Sequence, residues 1–126
     1  MTRGLRGATT VEHNQADEMI TRTKELIEEM VAENQVTPDM ISHVFISVTA
    51  DLNAVFPAKA LRQLPNWTFV PVMCMKEIEV PNSLDKCIRV MMVVNTTVHQ
   101  QDIKHIFHHG AIQLRPDLTE KAVNNR

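Results

Sequence analysis

The eight residues Cys87-Ile88-Arg89-Val90-Met91-Met92-Val93-Val94 carry one charged side chain, Arg89, in an otherwise apolar, β-branched run. A stretch so short and so rich in Val and Ile predicts a buried strand rather than a helix, and so commits the chain to a sheet. An unpaired guanidinium buried there would cost several kcal/mol, so an anion has to meet it. That anion is either a carboxylate of the protein or one of a ligand, and the run itself leaves both open.

The rest of the chain supplies what such a strand needs around it. With 126 residues, 44% of them hydrophobic and 22% charged, there is material for one domain with one core. No apolar run approaches the ~20 residues of a membrane span. Met1-Thr2-Arg3-Gly4-Leu5-Arg6 lacks the apolar segment of a signal peptide, so a cytoplasmic address is expected. Cys74 and Cys87 form neither a CxxC pair nor a zinc spacing and read as reduced thiols. A net charge of −2, no Tyr and a single Trp67 argue against nucleic acid as a partner. An anion site in this chain therefore has to be built from local arginines.

Residues 3–11 alternate weakly and read as a first strand. Asn14 stands as the N-cap of a helix from Ala16, with Asp17 and Glu18 where the helix dipole favours anions. Met19, Ile20, Thr23, Leu26, Ile27, Met30 and Val31 follow at amphipathic spacing, and the acidic face opposite reads as solvated. Thr37-Pro38-Asp39 predicts a turn and residues 43–49 a second strand. Pro57 opens a short helix over 58–64, stopped by Pro65. Residues 68–75 predict a third strand, with Pro71 marking an edge or a bulge. Residues 81–83 begin a turn or short helix that leads to the Arg89 strand. Residues 100–107 read as a helix stopped by Gly110, residues 111–114 as a last strand, and the polar tail after Asp117 as frayed. About five strands and two or three helices in mixed order give an α+β fold, a mixed sheet with helices on one face.

Arginine placement is the main chemical signal. Arg6, Arg62, Arg89 and Arg115 sit amid apolar neighbours near the ends of predicted elements, with Lys59 one turn from Arg62. A guanidinium matches a carboxylate with a planar fork of donors, so several converging on one cleft suit a small substrate bearing two carboxylates. The bland alternative pairs each of them with Glu77, Glu79, Asp51 or Asp117 of the protein. His105, His108 and His109 stand at i, i+3, i+4, a spacing that can present two imidazoles to a metal, but no carboxylate or cysteine nearby completes a set. Cys74 has no histidine beside it to act as base, whereas Glu77 is suited to accept a hydrogen bond from a substrate hydroxyl. Glycine-rich phosphate loops are absent, the only glycines being Gly4, Gly7 and Gly110. Residue chemistry alone ends at an α+β domain with a small-anion site and no visible nucleophile, metal or cofactor motif.

Five blocks carry a resemblance further: Arg3-Gly4-Leu5-Arg6-Gly7-Ala8-Thr9-Thr10-Val11-Glu12, Ala54-Val55-Phe56-Pro57-Ala58-Lys59-Ala60, Pro71-Val72-Met73-Cys74-Met75, Cys87-Ile88-Arg89-Val90-Met91-Met92 and Leu114-Arg115-Pro116-Asp117-Leu118. In order and spacing they resemble the monofunctional AroH-class chorismate mutases, over a single domain of residues 1–118 that leaves 119–126 as a flexible tail. The resemblance implies the AroH-like, ferredoxin-related fold and a homotrimer packed as a pseudo-α/β barrel, with active sites at the subunit interfaces. It also implies conversion of chorismate to prephenate, the committed step towards phenylalanine and tyrosine, with no cofactor, metal, nucleic acid or membrane involved. That reaction is a Claisen rearrangement, which needs no nucleophile and no general base. Catalysis then rests on holding the reactive conformer and stabilising charge as the ether bond breaks.

Carried over residue by residue, the resemblance makes Arg89 the donor to the ether oxygen and a carboxylate, and Arg6 a carboxylate clamp. Glu77 and Cys74 hold the ring hydroxyl. Phe56, Ala58, Val72 and Leu114 are apolar walls, and Lys59, Arg62 and Arg115 are cations at the mouth. Two positions depart from the family pattern: Phe107 replaces a common Tyr, and Met73 replaces a smaller hydroxyl-bearing residue. Neither touches Arg6, Glu77 or Arg89, so activity is expected with a raised Michaelis constant. Two other readings keep the same arginines: a trimeric imine deaminase of the RidA kind or a metabolite-binding module, and a purely structural set of interface salt bridges.

Overall fold

A computed structural model describes residues 1–115 of the chain. The run around Arg89 becomes β4 (Cys87–Asn95) at the centre of a five-stranded mixed sheet. On one side β1 (Thr2–Thr10) pairs with it antiparallel from Thr2↔Asn95 to Thr10↔Cys87. On the other side β2 (Ile41–Val48) is also antiparallel, with a bulge between Ile41 and His43. The edges are β3 (Val72–Lys76), parallel to β2, and β5 (Ile106–Phe107), parallel to β1, which gives the order β3-β2-β4-β1-β5. Pro71 immediately precedes edge strand β3, and its carbonyl accepts the Val44 N–H at 2.9 Å. The α+β expectation of a mixed sheet with helices on one face holds.

One long helix covers that face, α1 (Ala16–Asn34), and it buries Met19, Thr23, Leu26, Ile27 and Met30. Opposite them lie Leu5, Val44, Ile46, Ile88, Met92 and Val94, all essentially without solvent contact. Each such side chain contributes about 1.5–3 kcal/mol of burial, which makes this layer the core. Gly7 lets the helix approach: a Cβ there would stand 2.3 Å from Met30 Sδ and 3.3 Å from Leu26 Cδ1. The helix ends at Gln35 in the left-handed region (φ 54°), with Val36 N–H returning to the Val31 carbonyl at 2.9 Å. The buried Thr23 hydroxyl is satisfied by the Met19 carbonyl at 2.7 Å.

Several expectations need correction. The N-cap position belongs to Gln15, not Asn14, and makes no side-chain cap. Asn14 turns away because its amide is used elsewhere: Oδ1 accepts Asn53 N–H and Ala54 N–H, and Nδ2 donates to Asn53 Oδ1. Glu18 reaches back instead, to the Glu12 and His13 amides at 2.7 and 2.9 Å. The short helix contracts to α2 (Lys59–Arg62).

Residues 100–107 form no helix. A single 3₁₀ turn, Gln100–Asp102, is followed by extended chain and β5. Ile103 and Ile106 are both buried, at helix-like spacing, but the backbone between them is claimed by α1: Asn34 Nδ2 donates to the Lys104 carbonyl at 2.8 Å, and Lys104 N–H donates to Asn34 Oδ1 at 2.9 Å. The expected strand at 111–114 is part of a 3₁₀ helix, His109–Leu114. Gly110 is not a helix stop; its N–H donates to Thr10 Oγ1 at 3.0 Å, where a Cβ would crowd that same hydroxyl. The expected tail over 119–126 and residues Pro116 to Leu118 lie outside the described residues. Among the described residues no helix is long and apolar enough to cross a membrane.

Candidate active site

Among the described residues α1 leaves the other face of the sheet uncovered, apart from the 3₁₀ helix His109–Leu114 that meets β1 at Thr10, and alternation along the strands decides what that face displays. Register places Arg6 opposite Met91, Met91 opposite Phe45, and Phe45 beside Met73, one row across four strands. Two residues on, the next row runs Ala8, Arg89, Ser47 and Met75. Arg89 is therefore central in the sheet yet not buried. Its alternate neighbours Ile88 and Val90 point into the core, while its own side chain is 48% exposed on the open face. Nor does Arg6 end its strand; it sits in the middle of β1.

Glu77 follows β3 directly and is held by its N–H to the Val48 carbonyl at 2.8 Å. Ser47 Oγ donates to Glu77 Oε2 at 2.8 Å, and Arg89 Nη1 lies 3.4 Å from the same oxygen. Partial burial pushes the Glu77 carboxyl up, but hydrogen bonds from Ser47 and the Ile78 amide, with the Arg89 charge, outweigh it and hold the group below its ordinary range. Glu77 is thus an anion at neutral pH, available as an acceptor. Arg89 meets the protein's own carboxylate with one arm of its fork, which leaves other donors to face the groove.

That groove, about 460 Å³, gathers Arg6, Glu77, Arg89, Phe107 and Arg115, with Phe45, Ser47 and Met91 as its floor. A second recess of about 610 Å³ holds Phe56, Lys59 and Cys74 between β3 and the 49–57 loop. Met75 and Lys76 line both spaces, so the edge strand β3 separates them. Val72 and Cys74 pack against the core from the helix side of β3, while Met73 stands exposed on the open face. Burial raises the Cys74 thiol, against a hydrogen bond from the Ala58 backbone, so it is a neutral thiol rather than a nucleophile. Arg62 is exposed on α2, and Leu114 ends the 3₁₀ helix outside the groove lining.

The sequence set is thus divided in two within one chain. Ser47, Phe45 and Met91 were not foreseen, although their period-2 spacing with neighbouring strand residues was a usable signal for the open face. Of the remaining expected pairings, Glu79 engages Lys76 at 3.2 Å and Asp51 accepts the Lys86 amide; Asp117 lies outside the described residues. The three histidines do not share a helix face: His105 bonds the Arg6 amide, His108 pairs with Glu29 of α1, and His109 takes a left-handed φ of 52°. Among the described residues no group of three His, Cys, Asp or Glu side chains stands close enough to hold a metal ion.

Comparison with known proteins accounts for nearly the whole chain. The family model for chorismate mutase type I matches residues 2–118. Chorismate mutase AroH of Bacillus subtilis is 49% identical over 119 residues, which is 94% of each chain. Chorismate mutase AroH of Thermus thermophilus is 38% identical over 119 residues, covering 94% of this chain and 97% of its own. Among solved structures, a chorismate mutase from Clostridium thermocellum superimposes with a TM-score of 0.83 at 50% identity, covering 86% of this chain and 96% of that one.

Proposed function

Because this chain belongs to the type I chorismate mutases and is an enzyme with that activity, we propose that its active site is the groove of Arg6, Glu77 and Arg89, completed by a second copy of the chain. The substrate is chorismate, and the product of its rearrangement is prephenate. The observation that carries this reading is one cleft with three guanidiniums, Arg6, Arg89 and Arg115, and an ionised carboxylate, on the sheet face away from α1. The family membership leaves the imine-deaminase alternative without support.

In the rearrangement the ether C–O bond breaks as a C–C bond forms within one molecule, and negative charge grows on the ether oxygen. Arg89 donates to that oxygen, a contact worth ~2.7–4 kcal/mol when preorganised. Arg6 clamps a carboxylate, and Glu77 accepts the ring hydroxyl. Holding the compact conformer supplies the rest of the ~8 kcal/mol that a ~10⁶-fold acceleration needs.

The complementary residues come from the neighbouring subunit of a homotrimer: Phe56, Ala58, Val72 and Met73 as walls, Lys59 and Arg62 as cations, and Cys74 beside the hydroxyl. Arg115 and Leu114 close the mouth. Two features support the second copy. One chain keeps the Arg89 groove and the Cys74 recess on opposite sides of β3. It also leaves Phe45, Phe56, Phe69, Met73 and Ile78 exposed on its surface, an apolar area that association would cover. A cytoplasmic address belongs to the same proposal, supported by the free thiols Cys74 and Cys87.

Co-expression of Arg89→Ala and Lys59→Glu chains tests the shared site. Each variant alone is expected to be nearly inactive, while mixed trimers recover part of the chorismate turnover through sites that draw both halves from intact copies. A monomer in sedimentation, or no recovery on mixing, would refute it.

A further inference from the structure

The ring of His105 is bonded to the backbone of Arg6, an arginine of the groove. Its Nδ1 accepts the backbone N–H of Arg6 at 2.9 Å, across 99 positions of sequence. From this bond we infer that His105 is a positioning residue for Arg6, and this inference rests on the assignment of Arg6 as a substrate carboxylate clamp.

The bond sits where the strand ladder stops. Edge strand β5 covers only Gly7 and Ala8 of β1, and the His108 N–H to the Ala8 carbonyl at 2.9 Å closes its far end. The Arg6 amide lies one residue before that ladder begins and would otherwise face water. The imidazole takes the place of the missing strand carbonyl, with its ring proton on Nε2 so that Nδ1 can accept. In a strand, the orientation of the amide sets the direction of the Cα–Cβ bond, so fixing the Arg6 N–H aims its side chain along the row shared with Met91 and Phe45.

His105 is itself anchored. The residue before it, Lys104, is gripped on both backbone groups by the Asn34 side chain at the end of α1. Two residues after it comes Phe107, which lines the same groove as Arg6. A chain of contacts thus runs from α1 through Asn34, Lys104 and His105 to Arg6, and it sets the spacing between Arg6 and Phe107. Rigid support of this kind matters because a clamp with a long, flexible side chain binds well only when its root is held.

Steady-state kinetics on three variants tests the inference. His105→Leu removes the acceptor, His105→Asn keeps an oxygen at the position of Nδ1, and His105→Gln moves it one bond outward. A clamp that binds substrate and transition state alike shows in KM. Expected is therefore a rise of about three- to tenfold in KM for chorismate in the Leu and Gln variants, the span of one hydrogen bond, with kcat per folded subunit kept. The Asn variant returns to within about twofold of wild type, and in an Arg6→Ala background His105→Leu has no further effect on KM.

An unchanged KM in His105→Leu or His105→Gln, an Asn variant as impaired as the Leu one, or effects of His105→Leu and Arg6→Ala that multiply would each overturn the inference while leaving the site reading intact. An Arg6→Ala variant with normal KM would overturn the site reading itself. If His105→Leu does not fold, the Gln and Asn pair carries the same comparison.

Discussion

Replacing Arg89 with lysine separates its two possible jobs, because they differ in size. As a salt bridge, Arg89–Glu77 is weak: the contact is 3.4 Å with one nitrogen, and the two side chains are 48% and 28% exposed. Solvent screening limits such a pair to ~0–1 kcal/mol, and lysine keeps the charge, so the melting temperature should move by less than about 5 °C. As a donor to the ether oxygen, the guanidinium is worth ~2.7–4 kcal/mol, or about 10²–10³ in kcat. Lysine offers a point charge on a single nitrogen, whereas the fork meets Glu77 with one arm and, in the proposed site, has another to give the substrate. The assay is the disappearance of chorismate absorbance at saturating substrate, alongside a circular-dichroism melt of the same preparation. Loss of activity without loss of stability is the expected result. A kcat within tenfold of wild type, or a melting temperature that falls in step with activity, would refute the assignment and return Arg89 to a structural role.

Phe107→Tyr should place a hydroxyl in the groove beside Arg6 and Arg115; one charge-assisted bond, ~1.5–3 kcal/mol, predicts a KM lower by about tenfold or more, and an unchanged KM would show the position to be remote from substrate. The pH profile should follow Glu77, whose folded carboxyl is depressed: the ionised acceptor is fully present above the ordinary carboxylate range and lost as pH falls through the depressed value. kcat/KM is therefore expected to stay level through neutral pH and decline only in acid, and a Glu77→Gln variant that keeps the same acid limb would assign that limb elsewhere. Gly7→Ala should drive a Cβ into the buried end of Met30 and against Leu26; overpacking of this kind costs about 1–3 kcal/mol, read as a lower melting temperature, and an unaltered melt would mean that the Met30 thioether repacks around the added methyl.

Much of the architecture was legible because it is local. The amphipathic spacing from Met19 to Val31 specified α1 almost to its ends, and the β-branched run around Arg89 specified β4. Pro71 marked an edge strand because a residue without an N–H cannot complete a central ladder, but the strand begins only at Val72, and residues 68–71 of the expected run lie outside it. The failures share a cause. Ile103 and Ile106 have helix-like spacing, but the Asn34 amide, 70 positions away, claims the Lys104 backbone and holds it extended. Asn14 has the chemistry of an N-cap, but the 53–54 loop claims its amide first. In both places a side chain distant in sequence outbid a local preference, and periodicity carries no record of such partners.

The candidate site divides along the same line. Residue chemistry alone identified the arginines as the signal and Glu77 as an acceptor, and the five sequence blocks named the reaction class. Those are properties of residue type and order, which the sequence states outright. That Arg6, Ser47 and Arg89 face one groove follows from register between three strands, and a shift of one residue would send each of them to the core side. That Arg89 is half-exposed, and so needs no buried counter-ion, follows from α1 covering only one face of the sheet. That His105 holds the Arg6 amide follows from β5 lying beside β1. The sequence by itself determined which groups could do the chemistry; only the tertiary structure decided which of them meet, because pairing across strands is set by contacts that are distant in sequence.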